Sequence, residues 1–140
     1  MLAVARALPP WFNAEGLATI AREVRVDPGF VAEAGPHVVG FALWRGSGAG
    51  DGELTWLGVD PAFHRSGTGT ALLESVGAAA RAAGLQRLLV STVADNVDYP
   101  PYADTRRFYR ARGFVDLRVD RDFYGDAKGR YDRLMLVRAL

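Results

Sequence analysis

The chain has 140 residues, with seventeen Lys and Arg against sixteen Asp and Glu, a formal net charge of +1, two histidines and no cysteine. That length predicts one domain over residues 1–140, and a balance this even, with no long basic block, excludes a dedicated nucleic-acid surface. Lack of cysteine removes disulfides, thiolate metal sites and a cysteine nucleophile, and two histidines far apart supply no zinc ligand set.

Residues 1–8 are short and apolar enough for an edge strand, stopped by Pro9-Pro10. A basic leader with a long apolar core is absent, as is any run of 18 apolar residues, so a cytoplasmic protein without a membrane span is expected. Past Trp11 and Phe12, Asn13 is placed to cap a helix with Glu15 in its first turn, and Leu17, Ile20, Ala21 and Val24 make one apolar stripe. Residues 30–34 and 38–44 flank Gly35-Pro36-His37 in the pattern of an antiparallel hairpin, with His37 a solvated turn residue. Residues 46–52 read as a flexible glycine loop, and 53–59 as the third strand of a meander.

After a turn at Asp60-Pro61 comes the loop His64-Arg65-Ser66-Gly67-Thr68-Gly69-Thr70 and a helical pattern in Leu72, Val76, Ala79 and Ala83, widened by Leu73 and Ala80 and ended by Gly84. Gly67 and Gly69 lack a Cβ, so the N–H groups of residues 66–70 can turn inward where the positive end of the helix points, which suits a phosphate or pyrophosphate. A glycine-softened strand-to-helix turn without a ligand is the competing reading. A Walker loop is excluded because Gly69 is followed by Thr70 and Ala71, and a dinucleotide fingerprint because Leu72 stands where its third glycine belongs. Residues 88–90 are an unbroken apolar run, as in a strand buried on both faces, so 53–92 reads as a right-handed βαβ unit. A polar loop over 93–101 precedes a short helix capped by Asp104 or Thr105, carrying Phe108, Tyr109 and Arg112 and stopped by Gly113. Arg106, Arg107, Arg110 and Arg112 are expected on its exposed side, complementing the helix dipole. Residues 114–119 and 133–137 are closing strands joined by a polar connection over 120–130.

The glycine loop resembles the coenzyme A loop of the GNAT acyltransferases, which reads Arg or Gln, two residues, Gly, one residue, Gly or Ala, after a strand ending in a Val-x-Pro step. Here it is His64-Arg65-Ser66-Gly67-Thr68-Gly69 after Val59-Asp60-Pro61, with His64 in place of Arg or Gln and Arg65 beside it as a cation. A second motif of that family, Tyr, three residues, Gly-Phe, is matched by Tyr109 with Gly113-Phe114. The resemblance covers almost the whole chain. It implies the GNAT acyl-CoA N-acyltransferase fold, a mixed α/β sheet with a central antiparallel meander and one parallel βαβ unit. One position departs: the Asn often found seven residues before the tyrosine is Tyr102, and Asn96 lies earlier.

The same resemblance implies an N-acetyltransferase that moves the acetyl group of acetyl-CoA, its donor substrate, to a primary amine of a small molecule or peptide in a ternary complex, without a metal. An alkylammonium with a pKa of roughly 10 is charged at neutral pH, so a carboxylate is needed to take its proton. Glu53 is the candidate base, and strand alternation predicts it on one face with Thr55, Leu57 and Val59; a solvated strand-edge glutamate is the alternative. The backbone of Leu57 and Val59 is expected to face the acyl carbonyl and pantetheine arm, with Leu57 N–H as oxyanion donor, and Gly58 is the expected bulge site where the next strand splays away. Tyr109 is the candidate acid for the departing thiolate, or else a core tyrosine. His64, Arg65, Ser66, Gly67, Thr68, Gly69 and Thr70 would hold the coenzyme. A non-catalytic acyl-CoA-binding module and a transferase for longer acyl chains are the alternatives. Trp56, Asp95, Asp98, Tyr99, Tyr102, Phe123, Tyr124 and Asp126 are candidates to line a pocket for a cationic amine. Expected partners are that acceptor, with neither nucleic acid nor membrane, and a homodimer stays open.

Overall fold

Residues 1–8, 12–126 and 129–140 are described in a computed structural model of the chain. The elements run α1 (Leu2–Arg6), α2 (Ala14–Glu23), β1 (Gly29–Ala34), β2 (His37–Gly48), β3 (Asp51–Val59), a 3-10 turn (Pro61–Phe63), α3 (Thr68–Ala82), β4 (Arg87–Val93), α4 (Pro100–Ala111), β5 (Val115–Asp126) and β6 (Gly129–Ala139). The six strands form one sheet in the order β1-β2-β3-β4-β6-β5, in which β3 and β4 are parallel and every other pair antiparallel. This is the mixed α/β architecture expected, with α3 as the crossover of its one parallel pair.

Several local expectations are corrected. The first segment is helix and not strand: Val4, Ala5 and Leu8 are buried at helical spacing in an alanine-rich run, against Ile20 and Phe41. Pro9, Pro10 and Trp11 lie outside the described residues. The supposed glycine loop at 46–52 is strand as far as Gly48, then a two-residue turn at Ala49 and Gly50, whose φ values of 54° and 81° are the positive pair that a tight hairpin requires. The polar connection at 120–130 is likewise strand as far as Asp126 and again from Gly129. Helix α4 begins a turn early, with Pro100 and Pro101 where a missing N–H is harmless, so Asp104 and Thr105 are interior rather than capping. Asn13 does cap α2, its side chain accepting from Gly16 N at 2.8 Å.

Two apolar layers hold the sheet. On one face α3, α4 and the following Phe114 bury Leu72, Leu73, Val76, Tyr109 and the Phe114 ring against Leu54, Val90, Leu134 and Leu136; on the other α1, α2 and Leu8 after α1 bury Val4, Leu8 and Ile20 against Phe41 and Leu43. Gly113 (φ 87°) ends α4, and Phe114 N returns to Tyr109 O at 3.2 Å, so the Gly-Phe pair of the second motif is a helix stop and a core anchor.

Of the arginines anticipated on the exposed side, Arg107 and Arg110 are exposed, while Arg106 is buried and Arg112 half-buried. Arg106 is 6% exposed, and its Nη1 donates to the carbonyls of Val93 (2.8 Å) and Ala94 (3.2 Å) at the end of β4. Arg112 lies over the Phe108 ring at 3.9 Å and donates to Thr70 Oγ1 at 2.7 Å, tying α4 to the start of α3. Arg110 pairs with Asp95 and Asp116.

Candidate active site

Parallel pairing between β3 and β4 runs from Asp51 and Arg87 to Leu54 and Val90 and then stops. The cause is on β3, where Leu43 pairs with Trp56 but Trp44 pairs with Leu54, so Thr55 is an extra residue without a partner. Its hydroxyl donates to Leu43 O at 3.1 Å. The bulge is therefore at Thr55 and not at Gly58. Gly58 is glycine because a Cβ there would stand 2.6 Å from the Phe41 ring and 3.4 Å from Leu8.

Past the bulge the strands part, and a cleft of about 1410 Å³ opens between them. Asp60 N donates to Val39 O at 2.8 Å, toward β2, so by strand alternation the backbone N–H and C=O of Val59 and Leu57 point the other way, into the gap. His64 Nε2 sits 2.8 Å from Val59 O; because a carbonyl only accepts, that nitrogen carries the proton.

Next to this gap the chain curls into α3. Arg65 and Gly67 have φ of 62° and 84°, and Gly67 is the N-cap. The helical ladder begins with Ala71 N to Gly67 O, which leaves the N–H groups of Thr68, Gly69 and Thr70 as the free donors of the first turn. His64, Arg65 and Gly69 line the cleft, while Ser66, Gly67, Thr68 and Thr70 stand beside it. The three hydroxyls are used internally: Ser66 bonds Phe63 O and Thr68, and Thr70 receives Arg112. At Gly69 a Cβ would press on Phe108 at 3.2 Å, so glycine lets the loop backbone settle onto α4.

Glu53 and Tyr109 both line the cleft, from opposite faces of the sheet. The bulge reverses the alternation anticipated for β3. Leu54, Leu57 and Val59 share the α3 and α4 face, whereas Glu53, directly opposite Arg45 of β2, lies on the α2 face with Trp56. Tyr109 is 6% exposed, packed between Phe108 and Phe114, and burial pushes its phenol well above the usual tyrosine range.

At the Glu53 end are residues that sequence reasoning passed over. Arg45 Nη1 lies 3.4 Å from Glu23 Oε1 and 3.5 Å from Asp27 Oδ2, and its Nε lies 3.7 Å from Glu53 Oε2. Trp56 Nε1 donates to Glu23 Oε2. The available signal was the cross-strand register that the Ala49-Gly50 turn sets for Arg45 and Glu53. Opposite, β5 carries Arg121, Asp122 (φ 51°) and Phe123 against the single Asp132 of β6, and Asp132 Oδ1 accepts from Asp122 N at 2.9 Å. This bulge brings Phe123 and Tyr124 to the cleft with Arg133, whose guanidinium lies 3.6 Å over the Phe123 ring and whose Nε donates to Asp120 at 2.8 Å. The Tyr124 phenol is pushed up to about 12, by burial first, against the opposing pull of Arg133. Of the other pocket candidates, Trp56, Asp98, Tyr99 and Tyr102 line the cleft, and Asp95 instead pairs with Arg106 and Arg110. The side chain of Asp126 lies outside the described residues. Asn96 donates to Asp132.

An acetyltransferase (GNAT) domain model matches residues 26–116. Over 91 residues, 65% of this chain, the sequence is 34% identical to an amino-acid acetyltransferase of Pseudomonas fluorescens (strain SBW25), of whose length the match spans 19%. The solved structure of a GNAT-family protein from Desulfovibrio desulfuricans superposes with a TM-score of 0.81 at 25% identity, covering 99% of this chain and 90% of that one. A GNAT acetyltransferase from Elizabethkingia anophelis, solved with acetyl-CoA bound, shares the fold with a TM-score of 0.73 at 16% identity over 88% of this chain and 82% of its own.

The two buried phenols set a pH dependence. Above about pH 10 an unfolded tyrosine releases its proton, while folded Tyr109 and Tyr124 keep theirs. The folded state then binds more protons, so the stability present below pH 10 falls as pH rises, by about 1.4 kcal/mol per pH unit for each phenol, until the folded value is reached. Urea unfolding between pH 8 and 11 should show this decline, and Tyr109→Phe and Tyr124→Phe should each remove about half of its slope.

Proposed function

Because the chain belongs to the GNAT acetyltransferase family, we propose that it transfers the acetyl group of acetyl-CoA to a primary amine by direct attack within a ternary complex. The observation that carries this reading is the parting of β3 from β4 beside a helix start, with a carboxylate on one side of the gap and a buried phenol on the other. The residues fit the donor. Free N–H groups at Thr68, Gly69 and Thr70 and the Arg65 guanidinium suit a pyrophosphate, and the inward backbone of Leu57 and Val59 suits an extended amide-bearing arm. Acetyl-CoA supplies an activated thioester.

On this reading Glu53 takes the proton of the incoming ammonium and leaves a neutral amine. The Leu57 N–H donates to the acyl oxygen as it gains charge. The amine nitrogen bonds the acyl carbon and gives up its second proton to water, the carbon–sulfur bond breaks, and the departing sulfur takes the proton of Tyr109, which water then restores. Burial raises the phenol, so Tyr109 is protonated at neutral pH and holds a proton to give.

Four outcomes test the reading. Acetyl-CoA should raise the melting temperature of the wild type. Gly67→Asp should abolish that shift while Gly67→Asn largely keeps it, since both side chains tolerate the positive φ and only one carries charge; equal shifts would remove the loop from the site. In a thiol-release assay, Glu53→Gln should slow acetyl transfer most at low pH and progressively less as the amine deprotonates by itself. Tyr109→Phe should lower kcat by about 10²-fold with acetyl-CoA affinity nearly unchanged. Binding of acetyl-CoA without thiol release for any amine would leave a binding module instead.

A further inference from the structure

The Glu53 end of the cleft is the wrong place for an acceptor that carries a carboxylate. Its two lining arginines are both committed: Arg133 to Asp120 and the Phe123 ring, Arg45 to three acids. Arg65, the other arginine of the cleft wall, belongs to the loop at the far end. Carboxylates are instead in excess. Glu23, Asp27 and Glu53 share the one Arg45 guanidinium at 3.4, 3.5 and 3.7 Å, all longer than the roughly 2.7–2.9 Å of a tight charge-assisted bond. Three carboxylates face one guanidinium, and beyond it Glu23 has the Trp56 N–H while Asp27 has nothing further among the described residues. The Asp27 side chain is only 10% exposed. Its Oδ2 accepts no hydrogen bond and has only the 3.5 Å ion pair with Arg45, which stands between Asp27 and the cleft that Arg45, Glu23 and Glu53 line. Buried acceptors without a donor are costly unless something fills the need.

Resting on the acetyl-transfer reading above, we propose that the acceptor is a short aliphatic diamine, with one nitrogen at Glu53 for acetylation and the second, still an ammonium, between Glu23 and Asp27. Arg45 is the group that yields. Its side chain is 46% exposed, long and loosely held, so it can swing into solvent while the ammonium takes its position. One guanidinium now bridges Glu53 to Glu23 and Asp27, so a chain of a few methylenes spans the two positions. The rings of Trp56 and Phe12, 5.7 Å apart at their centroids, give those methylenes an apolar wall.

Three four-carbon probes separate the readings: 1,4-diaminobutane, butylamine, which lacks the second charge, and 4-aminobutanoate, which reverses it. With acetyl-CoA, kcat/KM for 1,4-diaminobutane should exceed that for butylamine by about tenfold and that for 4-aminobutanoate by about a hundredfold. Glu23→Gln and Asp27→Asn should each lower the diamine value by about tenfold. Arg45→Gln should act in the opposite direction, lowering the KM for the diamine by removing a competing cation, which a merely structural role for Arg45 would not do. Calorimetry of 1,4-diaminobutane with the CoA-saturated protein reports binding without turnover. Equal kcat/KM for diamine and monoamine, or a preference for 4-aminobutanoate, would overturn the diamine assignment and leave acetyl transfer standing. Diamine binding without thiol release for any amine would overturn acetyl transfer and leave the diamine site. Neither binding nor turnover would overturn both.

Discussion

Everything in the cleft depends on where β3 and β4 cease to be partners. Two parallel strands with apolar flanks would ordinarily pair to their ends, since each unmade backbone bond costs on the order of 1 kcal/mol. Here pairing ends at Leu54 and Val90 because Thr55 is one residue too many on β3. The bulge is stabilised locally, by the Thr55 hydroxyl on the Leu43 carbonyl. It is also held from a distance, because the end of β4 is claimed by other elements: β6 pairs with it along its whole length, and Arg106 of α4 binds the Val93 and Ala94 carbonyls. With β4 fixed between β6 and α4, the segment of β3 beyond Thr55 has nothing to close onto.

The parts of this arrangement that were legible in the sequence are those set by local chemistry. Gly67 and Gly69 announce a tight strand-to-helix loop, Gly113-Phe114 a helix stop with a core anchor, and Asn13 a cap, because each follows from what one or two residues can do alone. What was not legible depends on a partner far away in the chain. Gly58 looked like the bulge because glycine in a strand is ambiguous, and only the Phe41 ring facing it reveals that its role is clearance. Thr55 carries no sign of being the extra residue until β2 is laid beside it, and the face assigned to Glu53 went wrong with it. Residues 1–8 fit helix or strand by composition alone; burial against Ile20 and Phe41 settles the choice.

The arginines divide for a related reason. A guanidinium on a short helix is usually solvated, which holds for Arg107 and Arg110 but not for Arg106 and Arg112. Their fork of donors makes them useful as tethers instead. Arg112 spans from the Phe108 carbonyl to Thr70, and so links the helix that bears Tyr109 to the first turn of α3. Loop and phenol are therefore one mechanical unit, and a near-neutral net charge conceals how many of the cations are consumed inside the fold.

The gap also separates two environments that a closed sheet would have kept apart without connecting. Glu53 stands among charged side chains and is 28% exposed, in contact with solvent; Tyr109 is enclosed by aromatic rings on the other face, where ionisation is penalised. For the proposed reaction this division is useful in itself. A base must be deprotonated and able to discard the proton it collects, while an acid must be protonated and shielded from competing water. With the sheet between them, the proposed reaction would carry the proton taken from the amine and the proton given to sulfur by different routes, with the parted strands as the place where the reacting atoms meet both groups.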